Sequence, residues 1–204
     1  MGAARKLALV GAAATLGVAF WWRKNPSACP YSQRFWVEAP HPFITRERLR
    51  EALEPNPGER LLEVGPGTGY YTLAVAEWIG AEGTLDIVDL QQEMLDHTLG
   101  RAAEAGLSNV APARADATSM PYPDDSFDGA FLVTVLGEVP DQEAALRELR
   151  RVVRPGGRIV VGELFGDPHM VSRRALAARA ESAGLRTERV HGGRLWHYTR
   201  LVLA

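Results

Sequence analysis

Three carboxylates, Glu63, Asp89 and Asp116, each stand at the end of a short apolar run, and the first runs straight into Gly65-Pro66-Gly67-Thr68-Gly69. Leu61, Leu62 and Val64 suit a buried strand, while the glycines let the backbone turn sharply and approach a ligand with no side chain in between. A nucleotide-like ligand is the natural occupant of such a turn. The helix expected to begin near Gly69 offers its free amides to an anionic group, on this reading a carboxylate. In the dinucleotide fingerprint the glycines run G-x-G-x-x-G; here the third arrives one residue early and Tyr70 stands where that pattern wants glycine. The spacing argues against NAD.

The elements that must position these groups follow from periodicity. Arg60 to Val64, Thr84 to Asp89, Val110 to Ala115, Phe127 to Val133 and Gly157 to Leu164 read as strands. Helical patterns lie between them near Tyr70 to Ile79, Gln91 to Ala105 and Gln142 to Val153, the last ended by Pro155, Gly156 and Gly157. Strand-helix alternation builds a mostly parallel sheet covered on both faces. A further helix near Val171 to Ala183 precedes Arg186 to Val190 and Leu195 to Leu203, which flank Gly192-Gly193 as a hairpin. In an open parallel sheet a ligand sits beyond the carboxyl ends of the strands, near the switch in strand order. The three acids stand at those ends. Asp89 also suits a helix cap and Asp116 a solvated turn.

The run LLEVGPGTGYYT closely resembles the first motif of class I S-adenosylmethionine (SAM) dependent methyltransferases, in which an acid precedes G-x-G-x-G at the end of the first strand. DATSMPYPDDSFD, from Asp116 to Asp128, is similar to the D-x-x-x-x-P-[FY]-x-D-x-S-F-D run of the subfamily that includes ubiquinone and menaquinone methyltransferases. RRVVRPGGRIVV, from Arg150 to Val161, likewise resembles that group's helix exit and fifth strand. The resemblance covers roughly residues 45 to 165. It implies an α/β fold, a Rossmann-like, doubly wound, mostly parallel seven-stranded sheet with an antiparallel closing strand, and SAM as cofactor.

The resemblance also implies roles. Glu63 would receive the amino group of methionine, with Gly65, Gly67, Thr68 and Gly69 forming the turn beside it; Asp89, followed by Leu90, would take the ribose hydroxyls. Asp116 and Ala117 would meet the adenine amino group. Met94 resembles a position that packs on adenine and suits core packing nearly as well. Tyr70 and Tyr71 suit the methionine end or an ordinary first helical turn. Thr134, Leu136, Gly137 and Glu138 would lie beside the methyl group. SAM presents a sulfonium methyl attacked in line, so positioning dominates and a base is needed only for a protonated acceptor. Glu138 is the best polar candidate for that base, with His169, Glu163 and His41 as others. No H-E-x-x-H, carboxylate cluster or Cys/His spacing suggests a metal.

The bulk properties bound the partners. A chain of 204 residues is long enough for one domain with a proper core. Its net charge of -2 indicates no phosphate-tracking surface, so nucleic acid is not expected as a partner. The only lysines are Lys6 and Lys24, which excludes P-loop and Schiff-base chemistry from the main domain. A single cysteine, Cys29, allows no internal disulfide.

Residues 1–24 form a hydrophobic membrane-anchor candidate. Leu7 to Trp22 is uncharged, apolar on all sides and bracketed by Arg5, Lys6, Arg23 and Lys24. As a helix it would rise roughly 24 Å against a hydrocarbon core of roughly 30 Å, with Trp21 and Trp22 suited to an interface. A cleaved signal peptide and a helix packed on the domain are the rival readings. Residues 25–44, with four prolines among Tyr31, Phe35, Trp36 and Phe43, read as a packed lid. Residues 45–204 read as the catalytic domain, opening on a helix capped by Thr45. The expectation is a membrane-associated SAM-dependent methyltransferase, its domain cytoplasmic, acting on a small lipophilic acceptor such as a quinone or lipid. The alternatives are a small thiol or other soluble metabolite as acceptor, and a SAM-binding protein without catalysis.

Overall fold

The computed structural model describes residues 26–35 and 42–204. The apolar leader 7–22, Trp36 and His41 lie outside the described residues. A 3-10 turn, Tyr31–Gln33, is followed by helix α1 (Arg46–Leu53), strand β1 (Arg60–Val64), α2 (Tyr70–Ile79), β2 (Thr84–Asp89), α3 (Gln92–Glu104), β3 (Val110–Arg114) and β4 (Phe127–Val133). A second 3-10 turn, Leu136–Glu138, leads to α4 (Gln142–Val152), β5 (Val153–Leu164), α5 (Arg173–Ser182), β6 (Leu185–Gly192) and β7 (Trp196–Leu203). Every strand and helix expected from the alternation is present.

The seven strands form one sheet in the order β3-β2-β1-β4-β5-β7-β6. β3, β2, β1, β4 and β5 pair in parallel, and β7 runs antiparallel to both β5 and β6. The fold is therefore the Rossmann-like, doubly wound α/β sheet with an antiparallel closing strand. The central strands are near-continuous apolar runs because helices cover both faces. On one face α1, α2 and α3 bury Leu49, Val75, Ile79 and Leu95 against Leu61, Leu85, Ile87 and Phe131. On the other, α4 and α5 bury Leu146, Leu149 and Leu176 against Leu62, Val64, Leu132 and Val161. Each such side chain contributes about 1.5–3 kcal/mol through removal of apolar surface from water. The edges are blunted differently: β3 carries Pro112, and β6 presents the exposed charges Arg186, Glu188 and Arg189.

Boundaries depart from the sequence reading at β5. The strand begins at Val153, because Val153 is fully buried and pairs with Phe127, and a register shift then takes up the residues before Arg158 pairs with Gly129. Arg158 itself is buried and clamps the start of the domain to the sheet. Its guanidinium donates to Glu59 Oε2 at 2.6 Å, to Glu59 Oε1 at 2.9 Å and to the carbonyl of Glu54 at 3.1 Å, where α1 ends in a left-handed residue. Thr45 caps α1 as expected, accepting from Arg48 N at 3.4 Å. Among the described residues no helix is long and apolar enough to cross a membrane.

Candidate active site

The strand order reverses between β1 and β4, and a cavity opens there, beyond the carboxyl ends of β1, β2, β3 and β4. It is open to solvent. Its floor is the glycine turn. Gly65, Gly67 and Gly69 all have positive φ, at 71°, 55° and 81°. At Gly65 there is also no room: a Cβ would stand 2.5 Å from Val135 Cγ2. The carbonyls of this turn are held from behind by α3, Thr98 Oγ1 donating to Gly67 O at 3.0 Å and Arg101 to Thr68 O at 2.5 Å.

Nine of the expected site residues share this cavity: Gly65, Gly67, Asp89, Leu90, Met94, Asp116, Ala117, Thr134 and Glu138 all line it. Asp89 Oδ1 accepts from Gln91 N at 2.9 Å, and burial raises its carboxyl above the ordinary value against the pull of that bond. Asp116 accepts from the amide and hydroxyl of Thr118, at 2.8 and 2.7 Å, the solvated-turn geometry of an Asx motif. Met94 is 2 % exposed yet borders the cavity, so the two readings of this residue are the two sides of one position.

Thr134 carries φ +56°, a left-handed conformation that is uncommon for a β-branched residue and costs about 1–3 kcal/mol. Its amide donates to Gly162 O at 2.8 Å and its hydroxyl to Val133 O at 2.7 Å. This bend redirects the chain from β4 into the 3-10 turn that ends in Glu138. Burial pushes the Glu138 carboxyl up to about 8; the Cys29 amide, which donates to its Oε2 at 3.3 Å, opposes this and the nearby Asp167 and Asp89 add to it.

Other expected residues stand elsewhere. Thr68 and Gly69 complete the turn without lining the cavity; Thr68 is fully buried, and Gly69 caps α2. Glu63 points away from the cavity to α2, accepting from Thr72 Oγ1 at 2.5 Å, and burial pushes its carboxyl up to about 8. His169 lies across the 3-10 turn in a second cavity of about 580 Å³, shared with Gly137, Gln142 and Arg179. The two sides are in close contact, since a Cβ on Gly137 would fall 1.9 Å from His169 O. Glu163 is buried behind His169, accepting from Val171 N at 3.0 Å, with its carboxyl also at about 8 through desolvation.

Residues 25–44 read from the sequence as a packed lid, but the sequence did not single out Ala28, Cys29 or Gln91. Residues 26–35 form a strap beside the cavity, and Ala28 and Cys29 of it join the lining. Gln91 holds the strap, donating from Nε2 to Cys29 O at 2.9 Å and accepting from Tyr31 N at 3.0 Å. Tyr31 OH also lies 3.4 Å from His97 Nδ1. The proline and aromatic content of this stretch signalled packing, but nothing local paired it with Gln91 and Glu138.

Among curated proteins, the chain is 38% identical over 113 residues to a ubiquinone/menaquinone biosynthesis C-methyltransferase UbiE of Teredinibacter turnerae, covering 55% of this chain and 45% of that protein. It is 32% identical over 117 residues to a demethylmenaquinone methyltransferase of Staphylococcus epidermidis, covering 57% and 48%. The chain thus spans about half the length of the curated relatives it matches. Among solved structures, a SAM dependent methyltransferase from Aquifex aeolicus superposes with a TM-score of 0.79 at 21% identity, over 87% of this chain and 100% of that one, which is a likeness of fold. The profile of the ubiE/COQ5 methyltransferase family matches residues 41–176, a span that takes in the whole cavity lining except the strap and runs from before α1 into α5. On that match the chain belongs to the ubiE/COQ5 methyltransferase family.

Proposed function

We propose that this chain transfers a methyl group from SAM to a small, lipophilic, quinone-like acceptor. The observation that carries the reading is the division of one cavity into two chemistries. On one side lie the glycine turn, Asp89, Asp116 and the apolar surfaces of Leu90 and Met94; on the other, beyond the strained Thr134, lies the half-buried Glu138. Those residues fit the cofactor that the family implies. Asp89 has the acceptor oxygens a pair of hydroxyls needs, and Leu90, Met94 and Val135 give apolar surface for a purine.

Bound SAM supplies an electrophilic sulfonium methyl. The chain's own task is then to orient the acceptor, exclude water and remove one proton. Glu138 takes that proton from the acceptor, leaving a carbon nucleophile aimed at the methyl group. Because its carboxyl sits at about 8, only the smaller, ionised fraction acts at neutral pH. The lipophilic acceptor rests on the quinone-methylating relatives and on the apolar leader 7–22, through which we propose attachment to a membrane, with the domain on the cytoplasmic side where SAM is supplied.

The test is incubation with methyl-labelled SAM and a total lipid extract, followed by identification of the product. Label in a quinone-like lipid supports the proposal. Label only in water-soluble products would replace the acceptor class, and binding of S-adenosylhomocysteine without any transfer would make the chain a non-catalytic binder.

A further inference from the structure

The strap is attached in an unusual way. Among the described residues its two backbone-to-backbone bonds, Gln33 N to Pro30 O and Arg34 N to Tyr31 O, lie within the strap itself. Among the described residues the main chain of Cys29 and Tyr31 meets the domain through side chains: both ends of the Gln91 carboxamide and one oxygen of Glu138. Gln91 acts here as a single rung of sheet, its Nε2 and Oε1 answering a carbonyl and an amide two residues apart. The same residue's own amide donates to Asp89 Oδ1 at 2.9 Å. A continuous chain of hydrogen bonds therefore runs Asp89, Gln91, Cys29, Glu138, from the donor side of the cavity to the acceptor side.

We propose that Gln91 is a positioning residue that seats residues 28–31 beside the cavity, so that an occupant held by Asp89 fixes the strap and, through the Cys29 amide, the Glu138 carboxylate. The inference rests on the cavity being the SAM site. The physical reason is that an occupant drawing on Asp89 orders the Asp89–Gln91 turn, and an ordered Gln91 loses less side-chain freedom in holding the strap. Seating in turn brings the Cys29 N–H to Glu138 Oε2, a bond that favours the ionised base.

The chain carries its own reporter. Cys29 is its single cysteine, it stands in the cavity wall, and burial together with the neighbouring Glu138 raises its thiol above the ordinary value. The thiolate is the reactive form, so alkylation is slow while the strap is seated and fast when it lifts. The experiment follows iodoacetamide labelling of Cys29 by mass in the full chain, with and without S-adenosylhomocysteine, in wild type, Gln91→Ala and Gln91→Glu. Without ligand, Gln91→Ala should label faster by about 5- to 30-fold, the consequence of losing two ordinary hydrogen bonds. Gln91→Glu keeps the acceptor for Tyr31 N and loses the donor to Cys29 O, so its rate should fall between. S-adenosylhomocysteine should slow labelling in wild type and much less in Gln91→Ala, while still binding both.

Equal ligand-free rates in wild type and Gln91→Ala, at unchanged melting temperature, would overturn the proposal. Protection by S-adenosylhomocysteine that is the same in both proteins would overturn the coupling to Asp89. A wild type that binds no S-adenosylhomocysteine would instead overturn the reading of the cavity, and the ligand-free rates would still decide whether Gln91 seats the strap.

Discussion

Glu163 and His197 stand opposite each other in the β5–β7 ladder and grip the two ends of one residue, Val171. Glu163 Oε2 accepts from the Val171 amide at 3.0 Å, and His197 Nε2 lies 3.1 Å from the Val171 carbonyl. A carbonyl only accepts, so Nε2 carries the proton, and Nδ1 is left to accept from Thr199 Oγ1 at 2.9 Å. Burial lowers the pKa of His197, in keeping with a neutral ring. This clamp fixes the end of the 165–171 loop, which sets His169 against Gly137 and so shapes the turn that carries Glu138.

Glu163 makes stability depend on pH. Its carboxyl is raised to about 8 in the folded protein, so the folded state holds a proton that the unfolded chain has lost between the ordinary carboxylate value and about 8. The contribution is full at low pH and is lost as pH rises through about 8. Glu163→Gln keeps an acceptor for Val171 N and cannot ionise. It should melt near the wild-type temperature at about pH 4, gain on the wild type as pH rises from there, and melt several degrees higher at pH 9. Parallel melting curves for the two proteins across that range would assign the pH dependence to other groups.

As the proposed base, Glu138 should set the pH dependence of turnover. A base is active when ionised, so the rate should climb as pH rises towards and through about 8. Glu138→Gln should lower turnover by about 10²–10⁴-fold and flatten that climb, with little change in calorimetric affinity for S-adenosylhomocysteine. An unchanged profile would show that the acceptor needs no base from this residue.

Asp89→Ala should weaken S-adenosylhomocysteine binding by about 1.5–3 kcal/mol, the loss typical of charge-assisted bonds. Titration calorimetry measures it. Unchanged affinity would leave Asp89 with only its bond to Gln91 N, a turn cap.

Gly137→Ala places a methyl group where His169 O already stands. The loop must move or the turn must unwind, costing about 1–3 kcal/mol of stability, and turnover should fall further than the melting temperature alone explains. Thermal melts paired with turnover measurements separate the two effects.

The leader gives the last test. Full-length protein should sediment with membranes and resist a high-salt wash, because Leu7 to Trp22 is uncharged throughout. A variant starting at Asn25 should stay in the supernatant and still bind S-adenosylhomocysteine. Full-length protein found in the supernatant without detergent would favour a helix packed on the domain.

The alternation of strands and helices, the glycine turn and the acids at the strand ends were legible in the chain because each is a local property. An apolar run ending at Val64, a glycine required at positive φ, and a carboxylate at or near the end of a strand are written within a few positions of one another. Their convergence on one cavity followed from the parallel sheet, whose strands all end on the same side. What the chain could not show was direction and distance. Glu63 stands one residue before the end of its strand, and the pleat turns its side chain to Thr72 on α2, away from the cavity that its neighbour Val64 lines. Cys29, Gln91 and Glu138 come from three distant segments, and Glu163, Val171 and His197 from three more; the first set meets only because β1 lies between β2 and β4, the second only because β7 inserts beside β5. Those contacts depend on which strands are neighbours, a choice made by burial of both sheet faces at once, and no single segment encodes it.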